Sequence, residues 1–181
     1  FYALEREYDY KKNWGFCLTY ENYSKLPEGN YEAFIDSSFS KGQVVIGEGL
    51  LEGTGTKEIL LTSYLCHPSM ANNELSGPLA LTLLYQRLKK WKRRRLNYRF
   101  VINPETIGSL CYIFLRQKHL QEHVQDGMVL TCVGGKNKNL TYEQTRDGNS
   151  QLDALVTYLD SKKLQTTKIK PFTPFGGYDE R

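Results

Sequence analysis

Residues 58–91 read EILLTSYLCHPSMANNELSGPLALTLLYQRLKKW and contain the clearest secondary-structure pattern of the chain. It opens with an almost unbroken apolar segment, residues 58–65, which is typical of a strand that is covered on both faces. The next apolar side chains recur at helical spacing and predict a helix over residues 75–92, with Pro78 in its first turn. A buried strand followed directly by a helix is the first half of a strand–helix–strand unit.

The same alternation continues along the chain. We predict strands at residues 98–102, 128–133, 140–145 and 168–172, and helices at 107–124 and 151–163, the latter capped by Asn149 or Ser150. This order predicts an α/β layered fold with a mainly parallel central sheet flanked by helices. Ligands bind such sheets beyond the carboxyl ends of the strands, so the loops at 66–77, 103–108 and 134–139 are the candidate site.

Residues 1–56 have a different character, because they are rich in turns and aromatic side chains. Short strands are predicted at residues 14–20, 31–35 and 43–46, and the glycines between residues 47 and 55 predict a flexible junction. We therefore predict a small β-rich inserted subdomain over residues 15–56. Residues 1–14 and 57–181 would form the α/β domain itself, of which this chain holds a part.

Composition excludes two classes of protein. The 181 residues are 40% hydrophobic with a net charge of +4, which argues against a disordered chain. No apolar run approaches the roughly 18 residues of a membrane span, and we expect no membrane partner.

The four cysteines have mostly apolar neighbours and lack metal-knuckle or redox spacing, which predicts buried thiols in the cytoplasm.

A basic run, KKWKRRR, occupies residues 89–95 and holds six cations in seven residues. Such a run is found in nucleic-acid patches, and it is also found at the solvated ends of helices, where cations offset the negative pole. We favour the helix end, because the run has no second basic stripe or aromatic platform beside it. Nucleic acid is therefore not expected as a partner.

Two candidate loops carry groups with reactive chemistry. His67 follows the first buried strand, and Asn72, Asn73 and Glu74 offer oxygens just before the next helix. An imidazole nitrogen together with oxygens from a separate turn is a set that binds metal ions. Glu105 follows the second strand and is a candidate general base for an attacking water. The competing interpretation is a structural histidine and a glutamate that caps the following helix.

A rival site is present in the second helix. Residues 119–123 read HLQEH, the His-x-x-Glu-His pattern of inverted zinc peptidases. We favour a solvated helix end for this segment as well. Its neighbours are polar, a histidine near a helix C-terminus has a favourable interaction with the dipole, and this helix end lies opposite the carboxyl ends of the strands.

The His67 and Glu105 blocks resemble the co-catalytic zinc aminopeptidases. They most closely resemble a family of bacterial aminopeptidase-like proteins once filed as a domain of unknown function. The similarity spans essentially the whole chain, and the recurring blocks are WGFC (14–17), CHPSMAN (66–72), LSG (75–77), PETIG (104–108) and YDER (178–181).

The resemblance implies roles for individual residues. His67 matches a zinc ligand, and Glu105 matches the general base. Asn73 stands at the position of an aspartate that bridges two zinc ions, and a neutral amide oxygen is a poor bridge. Thr106 stands where the classical enzymes have a second zinc-binding glutamate. Both departures from the pattern argue against a two-metal centre.

Two further implications concern the end of the chain. The last histidine ligand of the pattern would follow Arg181, and Asp179 lies near the site. The resemblance therefore implies zinc in the full-length protein and weak or no zinc binding by this segment alone.

The expected function is a zinc-dependent hydrolase of peptide or other amide bonds. In this hypothesis the Asn72–Glu74 turn completes the metal site or binds the substrate amine. The alternative is a binding module on a degraded peptidase fold, which the residues at positions 73 and 106 favour.

Overall fold

The computed structural model describes residues 18–36, 38, 40–67, 70–136, 139–163 and 167–173. The chain divides into two compact units, residues 1–41 and 42–181. No helix in the described ranges is long and apolar enough to cross a membrane. The elements in chain order are α1 (Tyr20–Ser24), β1 (Gly47–Leu51), β2 (Glu58–Tyr64), a π-helical turn (Ala71–Leu75), α2 (Ser76–Lys89), β3 (Asn97–Asn103), α3 (Ile107–His123), β4 (Val124–Val129), β5 (Leu140–Glu143), α4 (Gln151–Ser161) and β6 (Thr167–Lys170).

A four-stranded sheet forms the centre of the second unit, with strand order β1-β3-β2-β4. Strand β2 runs parallel to both β3 and β4, and β1 is the antiparallel edge strand beside β3. Strands β5 and β6 form a separate parallel pair. The predicted α/β fold with a mainly parallel sheet is confirmed, because each strand–helix crossover returns the chain in the same direction.

The two faces of the central sheet bury different chemistry. Helix α2 covers an apolar face, where its leucines pack against alternate residues of β1, β2 and β3; the fully buried members of this cluster are Leu51, Leu61, Leu81, Leu88 and Phe100. Each such side chain contributes about 1.5–3 kcal/mol by leaving water. Helix α3 meets the opposite face through Arg116 and His119, which contact acidic side chains of β1 and β2.

The start of α2 approaches the sheet very closely. A Cβ atom on Gly77 would lie 2.2 Å from both the Leu130 carbonyl oxygen and the Ser63 hydroxyl. Only glycine lets the helix begin at this position, so the LSG block serves packing. The close contact fixes the π-helical turn that precedes α2 over the carboxyl end of β2.

The basic run ends α2, as the favoured interpretation predicts. Helix α2 stops at Lys89, and Arg94 then donates hydrogen bonds to the carbonyls of Leu88 (3.1 Å) and Trp91 (2.9 Å). It also donates to the Glu52 carbonyl at 3.0 Å. Arg94 therefore satisfies the carbonyls at the helix C-terminus.

The predicted cap of α4 is confirmed at Ser150. Its hydroxyl accepts from the Asp153 N–H at 3.0 Å, and Asp153 accepts from the Ser150 N–H at 2.9 Å, which completes a capping box. Burial raises the pKa of Asp153, but hydrogen bonds from Thr145 and Ser150 outweigh it and bring the pKa to about 2. A buried carboxylate thus stays ionised because four donor groups face it.

The β-rich interpretation of residues 15–56 needs correction. Among the described residues, neither 31–35 nor 43–46 forms the predicted strand. Helix α1 begins at Tyr20, where the first predicted strand was expected to end. Thr19 starts α1 by accepting from the Asn22 N–H at 3.2 Å. Phe34 is 90% exposed, so no neighbouring strand covers it. Apolar alternation alone does not make a strand without a partner. Residues 1–17 lie outside the described ranges.

The glycine-rich junction is also not a linker. Residues Gly47–Leu51 pair with β3 as the edge of the central sheet, so the predicted subdomain boundary at residue 56 falls after a strand of the main domain. Glycines at 47 and 49 hid this strand from a composition-based prediction. Tyr85 of α2 packs over Gly49, at 3.7 Å from its Cβ position.

Two further predictions are wrong in detail. Strand β4 begins at Val124, four residues before the predicted start, because α3 passes into it without a turn at Asp126-Gly127. Asp126 instead accepts from the Leu152 N–H of α4 at 2.9 Å.

The described cysteines, Cys66, Cys111 and Cys132, are exposed and not buried, since each lies beyond a strand end or on the outer side of α3.

Candidate active site

The carboxyl ends of β2 and β3 lie side by side. Their parallel register places Tyr64 opposite Asn103, so the loops that follow leave the sheet at the same level. The Leu65 N–H donates to the Asn103 carbonyl at 3.0 Å and extends this pairing by one residue. The residues after these positions, Cys66-His67 and Pro104-Glu105, are thereby neighbours.

His67 and Glu105 meet directly. The His67 Nε2 atom lies 2.9 Å from Glu105 Oε2, and the side chains are 36% and 14% exposed. Cys66 joins them, because one ligand atom from each of Cys66, His67 and Glu105 lies within 4.8 Å of the other two. In the described part of the chain, this is the one group of three or more His, Cys, Asp or Glu side chains that converges closely enough for a metal ion.

Glu105 is held by a strained turn. Thr106 has φ 59° and ψ −70°, and the Ile107 N–H donates to the Glu105 carbonyl at 2.7 Å. This combination is a γ-turn of the rare form, which costs a threonine of order 1–3 kcal/mol. Gly108 permits the tight entry into α3, because a Cβ there would lie 2.7 Å from Pro104 Cδ. The turn fixes the direction of Glu105 toward His67.

Glu74 contacts the backbone at the start of the loop that carries His67. It is 3% exposed, and its Oε2 atom accepts the backbone N–H of Cys66. Its other oxygen, Oε1, is buried and accepts no hydrogen bond within the described ranges. A carboxylate with this placement fixes the backbone of the residue next to His67.

Asn72 and Asn73 face the loop after β4. The Asn72 Oδ1 atom accepts the Gly134 N–H at 2.8 Å, so Asn72 joins the two loops. Asn73 donates through Nδ2 to the Tyr64 hydroxyl at 3.2 Å and to Cys132 Sγ at 3.6 Å. Its Oδ1 atom is buried, with no hydrogen-bond partner among the described residues.

The donor set of this site fits a zinc ion. Imidazole nitrogen, thiolate sulfur and carboxylate oxygen are the three atom types that zinc binds in proteins, and all three converge here.

The predicted site residues thus fall into separate roles. His67 and Glu105 are in contact, Glu74 and Thr106 position their neighbours, and Asn72 and Asn73 connect to the loop after β4. Asp179 lies outside the described residues. Cys66 is a candidate ligand that the sequence-based prediction did not include. The available signal was its place beside His67 at the end of a buried strand.

The rival histidine pair lies at the opposite edge of the sheet. His119 Nε2 is 3.2 Å from Glu58 Oε2 and 3.0 Å from an Arg99 nitrogen, and Glu58 is the first residue of β2. His123 Nδ1 donates to the Thr56 carbonyl at 3.1 Å. The His119 Nε2 atom therefore already has Glu58 and Arg99 as partners, and a metal ion would have to displace them.

The carboxyl-edge geometry can be compared with known proteins. The model of a family described as "Domain of unknown function (DUF4910)" matches residues 18–181, which is most of the chain. The chain belongs to this family. The DUF4910 chain is 39% identical over 173 residues to a Clostridium acetobutylicum protein named "Putative polysaccharide biosynthesis protein with aminopeptidase-like domain", and the match covers 95% of this chain and 39% of that protein.

A solved structure gives the same result for the fold. The DUF4910 chain superimposes with a TM-score of 0.80 and 37% identity on a protein from Clostridium acetobutylicum whose crystal structure is named as that of a "putative peptidase". The match covers 95% of this chain and 40% of the other. The DUF4910 chain therefore has a peptidase-like fold and spans about two fifths of the length of these relatives.

Proposed function

We propose that this chain carries the catalytic half-site of a zinc-dependent hydrolase that cleaves peptide or other amide bonds. The observation that carries the proposal is the contact of 2.9 Å between His67 and Glu105 at the carboxyl edge of the sheet. The relatives support it, since one is named for an aminopeptidase-like domain and the other as a peptidase.

Each residue has a defined task in this proposal. Zinc, when bound, polarises the scissile carbonyl and makes water more acidic. His67 is a ligand of the ion. Glu105 lies within hydrogen-bond reach of His67, so it is placed to take a proton from the attacking water and to return it to the leaving amine. The γ-turn at Thr106 keeps that carboxylate in position.

The neighbouring turn sets one wall of the site. Asn72 fastens it to the loop after β4, and buried Glu74 holds the Cys66 backbone. We propose that Asn73, with a neutral amide in place of a carboxylate, contributes a weak ligand or a substrate contact instead of bridging two metals. A mononuclear site follows, completed by residues of the longer protein.

A second candidate function is a binding module without catalysis. The observation that favours it is the neutral side chain at both position 73 and position 106, which removes two anionic ligands of the resembled enzymes. Fewer anionic ligands weaken both the affinity for zinc and the activation of water.

Metal content of the full-length protein tests the proposal. The protein is purified without metal-affinity resin, and zinc is measured by elemental analysis in wild type, His67→Ala and His123→Ala. The His123 variant is the matched control, because it dismantles the pair on α3 and leaves the Glu58–Arg99 contact intact.

We expect near-stoichiometric zinc in wild type and in His123→Ala, and loss of zinc in His67→Ala. Aminoacyl amides and short peptides are then screened as substrates, and turnover is expected in the two zinc-containing proteins alone. Zinc lost only in His123→Ala would move the site to α3. Zinc bound at His67 without turnover of any amide would favour the binding module.

A further inference from the structure

The thiol beside His67 has the placement of a metal ligand. Cys66 is exposed at the end of β2, and its sulfur lies within 4.8 Å of a His67 nitrogen and a Glu105 oxygen. Two ligand atoms on a tetrahedral zinc ion are about 3.3–3.8 Å apart, given the usual zinc–ligand bond lengths. Side-chain rotations that move these atoms by about 1 Å therefore allow the sulfur and the nitrogen to bind the same ion.

Two hydrogen bonds hold the backbone that leads into Cys66. Its N–H donates to the buried carboxylate of Glu74, and the preceding residue, Leu65, donates to the Asn103 carbonyl at 3.0 Å. This arrangement extends the rigid sheet up to Cys66. A ligand on a rigid element loses little conformational entropy when it binds.

The charges of the side chains around His67 also favour a thiolate ligand. His67 is neutral as a ligand, and the side chains at positions 73 and 106 are an amide and an alcohol. Glu74 directs one oxygen to the Cys66 backbone, so Glu105 is left as the one carboxylate that faces His67 among the described residues. With Glu105 acting as the base and not as a ligand, a divalent cation held by His67 has no anionic ligand among these side chains, and a thiolate supplies one.

We infer that Cys66 is a thiolate ligand of the metal ion that His67 holds. The inference rests on the proposed function for the presence of the metal and adds the ligand type. On binding, the thiol loses its proton to solvent and a metal–sulfur bond forms, with no change of oxidation state. Glu105 stays available as the base. A sulfur ligand favours zinc and cobalt over magnesium and manganese.

Cobalt substitution tests the ligand directly. The full-length protein is stripped with a chelator and titrated with Co²⁺ alone, and the near-ultraviolet absorption is recorded, where thiolate-to-cobalt charge transfer appears. Cys66→Ser is compared with Cys132→Ser and Cys111→Ser, which remove the other exposed thiols of the described chain. Circular dichroism establishes that each variant is folded.

We expect the charge-transfer band in wild type and in both control variants, and its loss in Cys66→Ser together with a cobalt dissociation constant about 10–100-fold higher. The inference is overturned if the band persists in Cys66→Ser, if it disappears only in Cys132→Ser, or if wild type binds no cobalt.

Failure of the ligand assignment and failure of the proposed function give different results. Cobalt bound without the band, in a protein that hydrolyses amides, would refute Cys66 as a ligand and leave the hydrolase intact. The band present in a protein that cleaves no amide would support Cys66 and refute the hydrolase.

Discussion

The central sheet carries a histidine–glutamate contact at each end of its parallel strands. At the carboxyl edge, His67 and Glu105 are 2.9 Å apart, and at the amino edge, His119 and Glu58 are 3.2 Å apart. The residue types are the same and the distances are similar. The surroundings of the two carboxylates are what differ.

The carboxylate of Glu58 is paired with the guanidinium of Arg99. Arg99 binds it with two hydrogen bonds, Nε to Oε2 at 2.6 Å and a terminal nitrogen to Oε1 at 3.0 Å, and both side chains are buried. Arg99 also contacts Glu48, which in turn is 3.1 Å from Arg116. Among the described residues, Glu105 has an ion-pair contact with His67 alone.

Glu58 and Arg99 also shift each other's protonation. Burial raises the pKa of Glu58, but hydrogen bonds from Arg99 and His119 outweigh it, so the pKa lies below its usual range. The hydrogen bonds that Arg99 donates to Glu58 raise the pKa of Arg99, against the effect of its burial. A carboxylate locked in this way serves stability, whereas one that lacks a cation can exchange protons or face a metal ion.

The largest expected effect is on catalysis at the carboxyl edge. Glu105→Gln keeps the shape of the side chain and removes the base, so we expect amide turnover to fall about 10²–10⁴-fold. Zinc content should remain near that of wild type. The measurement is steady-state turnover of the best substrate from the amide screen. A variant with wild-type turnover would remove Glu105 from the mechanism.

The next effect concerns folding at the amino edge. Arg99→Met leaves Glu58 buried with no strong cation, and we expect the free energy of unfolding to fall by about 3–5 kcal/mol. Urea denaturation of the metal-free proteins measures this change, with His67→Ala as the control from the carboxyl edge, for which we expect a loss below about 1 kcal/mol. Similar losses in the two variants would contradict the division of roles.

The smallest expected effect is a change in pH dependence. Because the pKa of Glu58 is lowered on folding from 4.5, its contribution to stability is present above about pH 4.5 and is lost as the pH falls. Glu58→Gln should therefore show a shallower acid-induced loss of stability than wild type. Asp153, with a pKa of about 2, titrates in both proteins, so their difference isolates Glu58. Parallel profiles would refute the assignment.

Several elements followed directly from the sequence. Helix α2 starts one residue after its predicted start, α3 begins at the predicted residue, and α4 begins at the cap Ser150. Strands β2 and β3 match within one residue at each end. Their apolar runs and caps are local signals, and burial in the sheet acts in the same direction.

Other elements depended on partners that are distant in the chain. Strand β1 contains two glycines and is a strand because β3 pairs with it, whereas the more strand-like residues 31–35 pair with no strand in the described part of the chain. Strand β4 starts early because Glu58 pairs with Val124. Pairing between remote segments overrides local propensity.

Local apolar patterns and caps specify the alternation of strands and helices, and therefore the edge of the sheet at which His67 and Glu105 stand. The neighbours of each acidic residue are a property of the folded chain. Packing places Glu58 beside Arg99, Glu74 beside the Cys66 backbone and Glu105 beside His67. The physical reason is that charge and hydrogen-bond partners are set by distances between separate elements, and those distances exist only after the sheet and its helices have packed.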